Sequence, residues 1–308
     1  MTLLVTGATG RVGKQLVKIL SLYDKKFYIS LRSINCSFPL VRQRVEAFRN
    51  LGITNFIDMD YNNLTSITHH KLEGIEKIFL ITPYFNLLDA TRKIVTEAQK
   101  TKSVKHIVNL SDMGVELNPS TYAATIHNQI ENIIKDSGFH YTFLRPNYYM
   151  QNFIEFIYKY RTNEKFLCLP LKNSRVSFVD LRDVAEVAAV ILHDKSNKHY
   201  NKVYDITGGQ RLNCSEVAGI LETLLGEPIK YVNISEQKAR TELLKAELKL
   251  EFVEYLLDFY RFMREGRMRH ISKVVETILG RKPISFEIFV RDHAELFKSG
   301  IELKVNSQ

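Results

Sequence analysis

Gly7, Gly10 and Gly13 stand three residues apart in the run Val5-Thr-Gly-Ala-Thr-Gly-Arg-Val-Gly13. The apolar stretch Leu3-Leu4-Val5 precedes them, and Val12, Leu16, Ile19 and Leu20 follow at helical spacing. Strand, glycine turn and helix start together form the unit that receives a dinucleotide pyrophosphate. Gly7 allows the tight turn out of the strand, Gly10 lets a pyrophosphate approach the backbone, and Gly13 lets the helix pack closely. The free N–H groups at the helix start, at the positive end of its dipole, meet the phosphate charge. Thr9, Arg11 and Val12 belong to the same turn and are expected to touch the cofactor with it.

Further residues with binding chemistry stand where strands are expected to end. Arg32 closes an apolar run over 27–31. An acid at that place would bind the ribose hydroxyls of NAD, whereas a cation favours the 2′-phosphate of NADP through charge-assisted bonds. Ser33 adds a hydroxyl and Arg11 adds positive potential. Thr82-Pro83 and Ser111 end the fourth and fifth apolar runs, and Pro146 ends the sixth. In an open α/β sheet, ligands sit in the crevice beyond the carboxyl ends of the strands. Each of these residues read singly could be an ordinary surface or turn residue; together they favour a site. Tyr148, Tyr149 and Phe153 follow Pro146 at helical spacings. With Tyr84 and Asn152 they are expected to line a flat, aromatic-friendly pocket, although such a helix face is also a common core pattern.

The elements that must position these residues alternate regularly. Strands are expected at 3–5, 27–31, 56–59, 77–82, 106–110 and 140–144, and helices at 40–51, 87–98 and 121–135. That rhythm predicts a Rossmann-type, doubly wound parallel sheet with right-handed crossovers. After residue 146 the pattern changes. An aromatic-rich helix over 148–160 and a strand over 176–179 are expected, the latter running into an acidic helix start at Asp180 and Asp183. A strand over 203–206 ends at Gly208-Gly209, and mainly helical sequence follows with one strand near 230–232. The expected organisation is a dinucleotide-binding domain over 1–150, with 175–195 returning to it. A smaller, mainly helical substrate lobe over 151–308 is interleaved with it.

The bulk properties narrow the class. The chain has 308 residues, 45% of them hydrophobic and 25% charged, as in a soluble globular protein. Its net charge of +9 is scattered, without the basic block that makes a nucleic-acid arm. Cys36, Cys168 and Cys214 are isolated and form neither a disulfide framework nor a metal-ligand spacing. His69-His70 reads as surface, so no metal is expected. The chain enters its first strand directly and has no apolar run long enough to span a bilayer. A cytoplasmic protein is expected.

The chain resembles the NmrA-like branch of the atypical short-chain dehydrogenase/reductases, with its azoreductase-like and quinone-reductase-like members. The resemblance rests on Val5 to Gly13, Phe79-Leu-Ile-Thr-Pro83, His106-Ile-Val-Asn-Leu-Ser111, His127-x-x-x-Glu131, Ser137-Gly138 and Tyr141-Thr-Phe-Leu-Arg-Pro146. It continues through Met150-Gln-Asn152, Val179-Asp-Leu-Arg-Asp-Val-Ala185, Val203-Tyr-Asp-Ile-Thr-Gly208 and Phe286-Glu-Ile-Phe-Val-Arg-Asp-His293. It implies a Rossmann core, NADP(H) binding and a smaller C-terminal substrate lobe; with Arg32, NADP(H) is expected in preference to NAD(H). The wider superfamily uses Tyr-x-x-x-Lys on the helix after the fifth strand, with a glutamate often four residues beyond the lysine. Taking Glu131 as that glutamate sets His127 at the lysine position and Ala123 at the tyrosine position, all on one helix face. The tyrosine is absent, and Tyr122 points about 100° away around the helix. His127 is then a candidate catalytic residue, holding the nicotinamide ribose or moving a proton; a plain helix histidine held by Glu131 is the alternative. Two functions remain open at this point. One is an NADPH-dependent reductase acting on a quinone-, azo- or carbonyl-type small molecule. The other is a non-catalytic NADP(H)-sensing regulator that binds a protein partner.

Overall fold

A computed structural model describes residues 2–23, 27–32, 39–116, 121–159 and 165–299. Ser33, Cys36 and Tyr160 lie outside the described residues. The strands are β1 (Leu3–Val5), β2 (Phe27–Leu31), β3 (Phe56–Asp58), β4 (Lys77–Leu80), β5 (His106–Leu110), β6 (His140–Pro146), β7 (Lys165–Leu169), β8 (Lys202–Ile206) and β9 (Ile229–Asn233). Seven of them form one parallel sheet in the order β3-β2-β1-β4-β5-β6-β8. The chain builds outward from β1 in one direction through β2 and β3, then in the other from β4. The crevice between β1 and β4 is therefore the topological switch point, where such sheets bind ligands.

Strand alternation decides what covers each face. On β4, Phe79 faces the helices Arg11–Leu20 and Leu181–His193, while Ile78 and Leu80 face Leu87–Gln99 and Tyr122–Lys135. Both faces are apolar, as a doubly covered parallel sheet requires. Lys77 shares the Phe79 face and is buried, yet its ammonium donates to Asp194 O at 2.7 Å and Leu192 O at 3.4 Å. A cation at the carboxyl end of the helix Leu181–His193 also suits that helix's dipole. Two late segments belong to this layer as well. β8 pairs with β6, and the helix Val274–Leu279 packs on β8 and on Leu181–His193.

The second lobe carries the parallel pair β7–β9 and the helices Cys214–Leu225, Glu236–Lys245, Leu250–Arg264 and Phe286–Asp292 around its own apolar core. The structure departs from the sequence expectation at three places here. Residues 176–179 form no strand; Val179 and Val176 make only isolated bridges, to Tyr149 and Leu212. This buried stretch crosses between the lobes, and a side chain at Gly208 would come within 1.9 Å of Phe178 O. The helix expected from 148 begins at Asn152. The preceding residues are held otherwise: Asn147 Oδ1 accepts the Tyr148 N–H at 2.7 Å, and Met150 N bonds Val179 O at 2.9 Å. β7 had no counterpart in the sequence reading. The helix start at Asp180 stands, its carboxylate accepting the Arg182 N–H at 2.9 Å.

Candidate cofactor and active site

The glycine turn is built by contact as much as by conformation. Gly7 has φ +63°, and a Cβ there would lie 2.7 Å from Ile81 Cβ. A Cβ on Gly13 would lie 2.1 Å from Gly7 O, so the helix Arg11–Leu20 is seated directly on the turn backbone. Gly10 differs: its φ is −73°, it is exposed, and a Cβ would meet only Gly7 O at 3.3 Å. Among the described residues no side chain caps this helix, and no acid stands in its first turn. Its first intrahelical bond runs from Lys14 N to Gly10 O, so the N–H groups before it face the turn. This cradle fits a dinucleotide pyrophosphate. Thr9 and Arg11 are exposed beside it, whereas the Val12 side chain is buried in the core and offers only backbone.

The other strand-end residues have distinct local duties. Arg32 is exposed one residue past β2. The Thr82 hydroxyl is turned inward, donating to Leu87 O at 3.2 Å and lying 3.2 Å from Thr91 Oγ1, so it anchors the following helix. Pro83 leads into a short turn that carries Tyr84. The Tyr84 phenol donates to Glu251 O at 2.9 Å, and its ring lies edge-on to Phe252 and Tyr255 at 4.8 and 4.9 Å. Pro146 is buried at the end of β6, its carbonyl bonded by Met113 N.

Arg11 links the glycine turn to the second lobe. Its guanidinium donates to Asn152 Oδ1 at 2.8 Å, lies 3.5 Å from Glu155 Oε1, and stands 5.8 Å from the Tyr149 ring centroid. Asn152 and Tyr149 thus stand next to the pyrophosphate cradle. Tyr148 is buried among Phe178 and Tyr260. Phe153, expected in the pocket, is instead wholly buried in the second lobe's core, edge-on to Phe178 and Phe286 at 4.9 and 5.3 Å. Its helix face is core because the opposite side of that helix carries Asn152 and Glu155. The rings of His69 and His70, in the short turn His69–Leu72, lie tilted against each other at 3.9 Å, and His70 Nδ1 lies 3.0 Å from the exposed Glu73 carboxylate.

At the end of β5, Ser111 Oγ donates to Glu131 Oε1 at 2.8 Å. Arg145 grips the same carboxylate side-on, from Nε at 2.8 Å and Nη2 at 2.7 Å, and also pairs with Glu116. Ser111 and Glu131 are 1% exposed and Arg145 is 8% exposed. This bidentate pair ties the helix Tyr122–Lys135 to β5 and β6. Glu131 is therefore committed to Ser111 and Arg145, and His127 turns elsewhere. His127 Nε2 lies 3.0 Å from Asp112 Oδ2 and 3.3 Å from the Tyr255 hydroxyl, and that hydroxyl donates to Asp112. Burial first, and the Asp112 carboxylate second, push the Tyr255 phenol well above its ordinary range. His127 Nδ1 is buried and meets no partner among the described residues, an arrangement that costs about 1–3 kcal/mol.

Asp112 and Tyr255 were not found from sequence. An acid directly after the strand-ending Ser111 was a usable signal. Tyr255 gave none, because it lies 128 residues from His127 on the helix Leu250–Arg264.

A switch-point crevice with a glycine cradle, ending in a histidine, carboxylate and phenol cluster, defines an NAD(P)-binding Rossmann-type protein. The NmrA-like family model matches residues 1–284, and the chain belongs to that family. It is 25% identical over 295 residues to an NAD(P)H azoreductase of Xenophilus azovorans, covering 96% of this chain and 99% of the relative. It is 27% identical over 296 residues to the prestalk A differentiation protein A of Dictyostelium discoideum, covering 95% and 92%. Its fold matches that of an NADPH-dependent quinone oxidoreductase of Escherichia coli solved with NADPH. The TM-score is 0.79 at 21% identity, covering 94% of this chain and 99% of that one. No helix of the described residues is long and apolar enough to cross a membrane.

Proposed function

We propose that this protein is an NADPH-dependent reductase that passes hydride to a quinone-, azo- or carbonyl-type small molecule. The observation that carries the reading is the pairing of two features along one crevice: the glycine cradle at β1, and His127 with Asp112 and Tyr255 at β5. The names of the azoreductase and quinone oxidoreductase relatives support it. The bound nicotinamide would supply the hydride. The turn from Gly7 to Gly13 would hold the pyrophosphate, with the helix start and Arg11 meeting its charge. Arg32 would take the 2′-phosphate. Backbone at Thr82, Pro83, Ser111 and Pro146 would flank the nicotinamide half, and His127 would stand at its ribose. The helix Leu250–Arg264, with Tyr84 and Phe252, would exclude water from the acceptor side.

The test is NADPH consumption against a panel of quinones, azo dyes and aldehydes, run beside a cofactor-binding titration. Turnover with at least one acceptor is expected. Tight NADPH binding with no turnover on any of them would favour the sensing regulator, a reading to which the alanine at position 123 lends weight. NADPH is expected to bind more tightly than NADH. Arg32→Ala should weaken NADPH by about ten- to a hundred-fold, the loss of a charge-assisted hydrogen bond, and leave NADH almost unchanged. Equal affinities of the unaltered protein for the two cofactors would remove Arg32 from this role.

A further inference from the structure

We infer that Tyr255 is the proton donor of the reaction, so that the tyrosine absent from the helix Tyr122–Lys135 is supplied by the second lobe. The inference rests on the reductase reading above. Position 123, where the helix pattern would set that tyrosine, holds a buried alanine. The helix Leu250–Arg264 is fastened at that same place: Asp258 Oδ2 accepts the Ala123 N–H at 3.3 Å. Tyr255, three residues earlier on that helix, lies with its hydroxyl 3.3 Å from His127 Nε2 and bonded to Asp112. Phenol and proton-carrying nitrogen, normally four residues apart on one helix, are thereby brought together from two lobes. Ring contacts hold the phenol in place, with Tyr84 at 4.9 Å and Phe259 at 5.1 Å.

Hydride from the nicotinamide adds two electrons to the acceptor and leaves a negative oxygen or nitrogen on it. The Tyr255 O–H bond breaks and its proton passes to that atom. A solvent proton then reaches the phenolate by way of His127 Nε2 once product leaves. Asp112 holds the phenol and the imidazole in register until the hydroxyl turns from it to the acceptor. Burial holds Tyr255 protonated until a strong base forms next to it.

Tyr255→Phe tests this, because it keeps the ring and removes only the hydroxyl. The assay uses whichever quinone or aldehyde the unaltered protein turns over fastest, with a melting curve to check the fold. Turnover is expected to fall about 10²–10⁴-fold while NADPH affinity stays within about twofold. A fall of less than about threefold overturns the inference. So does an affinity loss that matches the fall, since the phenol would then only latch the lobes. Should Tyr255→Phe not fold, His127→Gln serves: it can still donate to Asp112 but cannot relay a proton. Lost turnover with retained NADPH affinity supports the relay, and retained turnover overturns it. If the unaltered protein turns over none of the acceptors, the reductase reading fails and this inference falls with it. That result is separate from an active protein that ignores the loss of the phenol.

Discussion

Replacing Arg145 by methionine is expected to lower the stability of this protein by about 3–5 kcal/mol. The reason lies on the other side of the pair. Glu131 is 1% exposed and, among the described residues, keeps the Ser111 hydroxyl and the Lys135 ammonium, 3.6 Å away, once the guanidinium is gone. A buried carboxylate without its bidentate partner must be desolvated or protonated, and either costs most of what the pair contributed. Urea denaturation followed by circular dichroism would measure this as a lower midpoint with an unchanged slope. The double variant Arg145→Met with Glu131→Met should recover part of the loss, since no orphaned charge is left. If the single variant unfolds at the wild-type midpoint, the pair is not holding the helix Tyr122–Lys135 to the sheet.

Gly10→Val should abolish binding of both NADPH and NADH while the protein stays folded. Gly7 and Gly13 have no room for a side chain, but Gly10 has an ordinary φ of −73°, and among the described residues a Cβ there would meet only Gly7 O, at 3.3 Å. A valine there asks the Gly7 carbonyl to give by only a few tenths of an ångström and projects over the uncapped helix start, where the pyrophosphate must approach. The loss should exceed about a thousand-fold, because contact with the whole phosphate cradle goes at once, worth about 4 kcal/mol or more. Calorimetric titration beside a melting curve distinguishes lost binding from lost fold. Wild-type affinity in the variant would mean that the pyrophosphate binds elsewhere.

What could be read from sequence follows from how far apart the cooperating residues lie. The glycine turn, the strand alternation and the N-cap at Asp180 are set by neighbours in the chain, and their residue types carry the information directly. Val176-Ser-Phe-Val179 has the alternation of a strand, yet it serves as a buried crossing between lobes, because burial on two sides looks the same in sequence whichever backbone delivers it. Phe153 shows the same ambiguity: an aromatic at helical spacing does not say whether core or pocket lies opposite. Of the partners of His127, Asp112 left a signal by following the strand-ending Ser111, whereas Tyr255 left none. Asp112 and Tyr255 lie 143 residues apart and meet only after the second lobe has docked. Neither local propensity nor spacing encodes such a contact.

The helix Leu181–His193 covers the face of the sheet that presents Val5, Phe79 and Val108, and this sets an order of events during synthesis. When residue 150 leaves the ribosome, all six of the strands β1 to β6 exist, and one face has its helices. The other has Arg11–Leu20 but still lacks the partner lying beside it. That apolar face waits for more than forty further residues of translation, roughly two to nine seconds at ordinary elongation rates. The nascent chain is therefore open to chaperone capture in that interval, and a fragment ending near residue 150 would aggregate rather than fold, however complete its cofactor turn.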